Sequence, residues 1–99
     1  MICDKCHNDL PIEEHHLWPK FMNNPHGNVR GNFPSRIWLC KDCHTGEEGI
    51  HSKVILPLLK KASTKPELNS EYSLWSKIPF EDLNVTIDLC IFYSDGWLK

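Results

Sequence analysis

The 99-residue sequence predicts a small α+β protein, a short hairpin pinned by paired cysteines and followed by helices. Three observations carry this prediction. Two C-x-x-C pairs, Cys3/Cys6 and Cys40/Cys43, flank the first part of the chain. Short runs of strand-forming residues stand just inside them. From Ile50 onward, apolar residues recur at helical spacing.

A chain of this length is one domain with a limited core, so a metal staple would supplement its stability. Hydrophobic residues make up 40% and charged residues 24%, the balance of a water-soluble globular protein rather than a disordered or membrane one. No stretch approaches the roughly 18 apolar residues of a membrane span, and the first residues, MICDKCHNDL, lack a basic and apolar leader. A cytoplasmic protein is therefore expected. In that reducing setting the cysteines favour metal over disulfides, and the fifth, Cys90, reads as a small core residue. The net charge of −2 hides an uneven distribution: residues 20–65 are basic and both flanks are acidic.

Taken in order, Cys3 to Cys6 is a tight turn presenting two thiolates. Leu10 to Trp18 is a strand, bounded by Asn8-Asp9 and by Pro19. Pro19 to Pro34, rich in Asn, Gly and Pro, is a long loop made cationic by Lys20, His26 and Arg30. It reads equally as a functional loop or a solvated connection. Arg36 to Leu39 is a second strand that would pair with the first and bring the C-x-x-C pairs together.

Thr45 and Glu48 match a capping box at the start of a helix. Ile50, Val54 and Leu58, with Ile55, Leu59 and Ala62 alongside, form its apolar stripe, and Pro57 should kink it. Ser63 to Pro66 is a linker. Leu68, Tyr72, Trp75 and Ile78 share a helical face. Residues 85–93 fit a helix or, by strict alternation, a strand ending in a turn at Ser94-Asp95-Gly96; the helix is favoured. It would let the aromatic C-terminus cover the basic helix. The expected organisation is residues 1–62 as core and 63–99 as a helical extension packed on it.

Two C-x-x-C pairs suit tetrahedral Zn²⁺ held by four thiolates at about 2.3 Å. An iron–sulfur centre or a redox pair are the alternatives. Such a staple alone says only that the chain is like a zinc ribbon, a class with many non-catalytic binding modules. The six histidines add chemistry. His15 and His16 are neighbours, and neighbours on a strand point to opposite sides. One can therefore ligate metal while the other does something else. His44 precedes the helix and His51 lies two turns on, so both can face one side. His7, beside a knuckle, reads as a surface residue or a support to the thiolates. Glu13 and Glu14 read as exposed strand acids, with Glu14 alternatively bracing a catalytic group. Trp18, Trp38 and Trp75 read as packing residues.

In combination, CDKCH, EEHHLWPK, PSRIWLCKDCH and the His at 51 resemble the HNH endonuclease family, with its ββα-metal (His-Me finger) core. The likeness is to small zinc-stapled members found in phages and mobile elements, and it covers residues 1 to about 62. It implies that His16 is the general base activating water and that His15, His44 and His51 are ligands of one catalytic divalent metal. Ser35 stands where the family usually has a base-orienting Asn, a role Asn32 could fill instead. The interval from His44 to His51 is longer than the family usually shows. Lys20, Arg30, Arg36 and Lys53 are candidates for DNA backbone contacts. The implied cofactors are a structural Zn²⁺ and one catalytic Mg²⁺, Mn²⁺, Ni²⁺ or Zn²⁺. The implied partners are DNA and phage or mobile-element proteins, in a bacterial or phage-infected cell. The competing expectations are a non-catalytic zinc-ribbon nucleic-acid-binding module and a phage packaging or interaction accessory.

Overall fold

Both predicted strands form, and they pair. The computed structural model describes residues 1–16 and 36–99. Within these, β1 (Ile12–His16) and β2 (Arg36–Cys40) make a two-stranded antiparallel sheet. His16 lies opposite Arg36, His15 opposite Ile37 and Glu14 opposite Trp38. The first strand is shorter than expected: Leu10 precedes it, its N–H donating to the Met1 carbonyl at 3.0 Å. Leu17 and Trp18 lie outside the described residues, as do Lys20, His26, Arg30, Asn32 and Ser35.

The sheet has a dry and a wet face, because side chains alternate along each strand. Ile37, Leu39 and His15 point into the core. Glu14, His16, Arg36 and Trp38 line the other face, where Trp38 is 39% exposed. Trp38 is therefore not a core residue, as the sequence suggested. Its ring lies beside the Arg36 guanidinium, 5.8 Å from ring centroid to Cζ.

After the sheet come α1 (Lys41–Thr45), a π-helical turn (His51–Ile55) that continues into α2 (Leu56–Ala62), α3 (Glu71–Ser76), a 3-10 turn (Phe80–Asp82) and α4 (Leu83–Leu98). The expected capping box is absent. The Thr45 hydroxyl donates back to the Lys41 carbonyl at 3.4 Å and Glu48 pairs with Lys53 at 3.3 Å. Thr45 ends one helix instead of starting the next. Gly46 and Gly49 sit between, in a turn where neither can carry a side chain. A Cβ on Gly46 would lie 2.5 Å from the Asp42 carbonyl oxygen, and one on Gly49 would lie 2.8 Å from that of His44.

The kink expected at Pro57 takes the form of a widened turn. Proline offers no N–H to the Lys53 carbonyl and its ring crowds that turn. The preceding segment relaxes to i→i+5 bonding, with the Leu56 N–H donating to His51 O. The extra residue per turn rotates the buried stripe, which runs through Ile50, Val54, Ile55 and Leu59 and leaves Leu58 half-buried.

α3 begins later than Leu68. Its N-cap is Ser70, whose hydroxyl accepts from the Ser73 N–H at 3.4 Å. Residues 83–98 are one helix, so the alternation at Val85–Tyr93 does not make a strand and Ser94-Asp95-Gly96 is not a turn. Thr86, Ile87, Cys90, Ile91 and Ser94 form its buried face. They join Leu74, Trp75 and Ile78 against Ile50, Val54, Ile55 and Leu59, so one apolar core spans the residues before and after the 63–66 linker. No helix among the described residues is long and apolar enough to cross a membrane.

Candidate metal centres

The four cysteines outside α4 converge. Cys3 and Cys6 come from the N-terminal knuckle, Cys40 from the end of β2 and Cys43 from α1, and their sulfurs all lie within 4.8 Å of one another. The Cys6 and Cys40 sulfurs are 3.9 Å apart. That is close to the roughly 3.8 Å between sulfurs of a tetrahedral zinc–thiolate centre and far beyond the roughly 2.05 Å of a disulfide.

Backbone geometry builds the first knuckle. The His7 N–H donates to Cys3 O at 3.0 Å, the Cys3 N–H to Asn8 O at 3.1 Å and the Lys5 N–H to the Cys3 sulfur at 3.4 Å. Asp4 docks the knuckle on β2: its N–H donates to Trp38 O at 2.9 Å, and its carboxylate accepts from the Trp38 N–H at 2.8 Å.

The thiols are electrostatically divided. Burial raises the Cys3 thiol, but N–H groups of Cys40, Cys6 and Lys5 and the Cys6 thiol outweigh it and bring it to about 6. Burial and the neighbouring thiols push Cys43 strongly up. One ionised sulfur thus suppresses the next, and a bound dication relieves that conflict for all four. These cysteines could hold a structural metal ion.

A second cluster is formed by His15, His44 and His51, whose ligand nitrogens also lie within 4.8 Å of one another. His15 comes from the inner face of β1, His44 from the last turn of α1 and His51 from the π-helical turn. The Nε2 atoms of His44 and His51 are 2.9 Å apart, and His15 Nδ1 is 3.2 Å from His51 Nε2. The tight turn through Gly46 and Gly49 absorbs the long interval between His44 and His51. It folds the chain back under α1, so the two rings meet.

Hydrogen bonding decides what these nitrogens offer. His44 Nδ1 lies 3.0 Å from Glu13 Oε1, and His51 Nδ1 lies 2.6 Å from Glu71 Oε2. Carboxylates only accept, so both Nδ1 atoms carry the proton and both Nε2 atoms present lone pairs to each other. His15 is 1% exposed, and its Nε2 is buried without a partner. Burial, reinforced by His51, His44 and His16, lowers its pKa to about 3, so it stays neutral at physiological pH. A shared proton could bridge one pair of these rings, whereas a metal ion could take one nitrogen from each of the three. The donor set therefore fits a cation. Neutral imidazoles with carboxylates behind them are a recurrent way to prepare metal ligands.

His16 does not join this cluster. It lies on the outer face of the sheet, with Nε2 against Glu14 Oε1. Glu14 also pairs with Arg36 at 3.6 Å between Oε2 and Nη1. Of the cationic residues singled out in the sequence, Arg36 is thus on the outer sheet face and Lys53 on the π-helical turn, while Lys20 and Arg30 fall outside the described residues. His7 lies at the edge of the thiolate knuckle. Sequence reading missed the partners of the ligands. Glu13 is the exposed acid the sequence suggested, but its contact with His44 was not foreseen, and nothing in the local sequence marks Glu71, which reaches His51 only through folding. Compared with known proteins, the chain matches no family model, no curated protein and no solved structure.

Proposed function

We propose that this protein is a metal-dependent DNA endonuclease of the HNH, ββα-metal kind, stapled by a four-cysteine zinc knuckle. The observation that carries the reading is the meeting of His15, His44 and His51 around one point, with His16 the next residue along the strand. A divalent cation bound there would supply charge stabilisation to a scissile phosphate and its leaving oxygen.

The chain's own residues supply the rest. Glu14 accepts the His16 Nε2 proton, which leaves Nδ1 free to take a proton from water. The same carboxylate orients the ring. This assigns Glu14 the bracing role that an acid beside a catalytic histidine can serve. Arg36 and Lys53 are both exposed and their partners are exposed or half-exposed acids, so these ion pairs exchange readily for DNA phosphates. Lys20 and Arg30, which lie outside the described residues, remain sequence candidates for further phosphate contacts. Ser35, also outside the described residues, keeps the base-orienting role that the resemblance implies.

A plasmid-nicking assay with Mg²⁺, Mn²⁺, Ni²⁺ or Zn²⁺ tests the proposal. Wild type is expected to nick in a metal-dependent manner, and His16→Ala is expected to lose about 10²- to 10⁴-fold in rate, the usual share of a general base. Wild type that binds DNA without cutting it returns the chain to the zinc-ribbon binding modules. Cleavage that survives His16→Ala overturns the assignment of the base.

A further inference from the structure

We infer that Glu71, in the first turn of α3, is a positioning residue for the three-histidine metal site, so that the C-terminal extension completes that site. The inference rests on the metal-site part of the reading above, and does not depend on cleavage.

Three observations point the same way. First, Glu71 Oε2 lies 2.6 Å from His51 Nδ1, and the two side chains are similarly sheltered, at 28% and 27% exposure. A carboxylate there accepts the Nδ1 proton and directs the Nε2 lone pair toward His44 and His15. Second, the equivalent contact on His44 is looser, at 3.0 Å, and Glu13 is 51% exposed. Glu71 is thus the better shielded of the two acids, and the more strongly coupled to its ligand. Third, Glu71 is held from its own side. Ser70 caps α3, while Leu74 and Trp75 of the same helix are buried in the core shared with Ile50, Val54 and Ile55. The carboxylate therefore reaches His51 from a docked helix and not from a free tail. Coupling of this sort is reciprocal: a metal held more tightly when α3 is docked must also hold α3 more tightly.

The test uses full-length protein carrying one zinc on the thiolates, into which Ni²⁺ is titrated calorimetrically. Wild type is expected to take one nickel ion. Glu71→Ala should bind it about 10- to 100-fold more weakly, the usual cost of losing a carboxylate behind a ligating histidine. Glu71→Gln, which keeps the shape and an accepting oxygen but not the charge, should fall between the two. Ser70→Ala weakens the α3 cap but keeps the carboxylate, so its nickel affinity should fall by much less than that of Glu71→Ala. Wild-type affinity in both Glu71 variants overturns the role. So does a loss in Ser70→Ala as large as in Glu71→Ala, because Glu71 would then be acting only through helix stability. Absence of a second ion on wild type removes the metal site itself. Nickel affinity that depends on Glu71 without any DNA cleavage supports the positioning role and rejects only the nuclease reading.

Discussion

At His7 the backbone is left-handed, with φ of 62°, and this is the one such non-glycine residue among those described. The conformation lets the His7 N–H close the first knuckle on Cys3 O. Side chains other than glycine tolerate it at a cost of about 1–2 kcal/mol, partly offset in histidine by its local polarity. Glycine pays more entropy on ordering, which leaves a net gain. His7→Gly is therefore expected to stabilise the zinc-loaded protein by about 0.5–1 kcal/mol, read as a rise of a few degrees in Tm. A lower Tm would mean that the His7 ring supports the thiolates. His15 shows the opposite use of burial. Its neutrality comes from desolvation first and from the neighbouring histidines second, so the same packing that hides it keeps it fit to ligate. Trp38 is a further lesson at this scale. A large aromatic on a hairpin was read as core, yet the period of two places it on the wet face beside Arg36.

Among the elements, the two strands of the hairpin were legible from their bounding turn residues, but which side chains they bury was not. Ile37 and Leu39 point in with His15, and Arg36 and Trp38 point out with His16. The turn between α1 and the π-helical segment was not legible. Thr45 and Glu48 carry the pattern of a capping box, but Gly46 and Gly49 permit a backbone approach that ends one helix and restarts another. That approach is also what brings His51 to His44. Gly49→Ala would push a methyl group to 2.8 Å from the His44 carbonyl oxygen and 2.9 Å from that of Asp42, and neither is the tip of a movable side chain. Destabilisation of about 1–3 kcal/mol is expected in chemical denaturation, with weaker binding of a second metal ion. Unchanged metal binding would show that the turn does not set the spacing of the two rings. The widened turn at His51–Ile55 belongs to the same class. Pro57 announces an irregularity, but not that the irregularity falls on a candidate ligand.

For the whole molecule, the two clusters sit at different depths in the fold's stability. The four cysteines join the N-terminal knuckle to the end of β2 and to α1, so loss of an ion held there should unfold that end of the protein. The histidines come from β1, α1 and the π-helical turn, elements already joined by the sheet and the core, so an ion held there should leave with the fold intact. Graded chelation at neutral pH is thus expected to release two ions per chain in two steps, the second accompanied by loss of secondary structure in circular dichroism. A single ion, or simultaneous release, would contradict this division. Contacts reach across the whole chain as well. The Lys5 ammonium meets the Trp97 carbonyl and lies 4.8 Å from the centre of its ring, which ties the knuckle to the C-terminal end of α4.

Read alone, the sequence determined which residues are candidate metal ligands and what the local periods are. Cysteine spacing named a four-thiolate centre, two adjacent histidines on a strand were bound to face apart, and the apolar repeat from Ile50 required a helix. Those are properties of residue types a few positions apart. Tertiary structure decided what comes together over distance. The folding-back at Gly46 and Gly49 brought His51 to His44, and the docking of α3 put Glu71 behind His51. Neither could be read from pattern, because each depends on close backbone approach and on burial shared between segments that the chain separates.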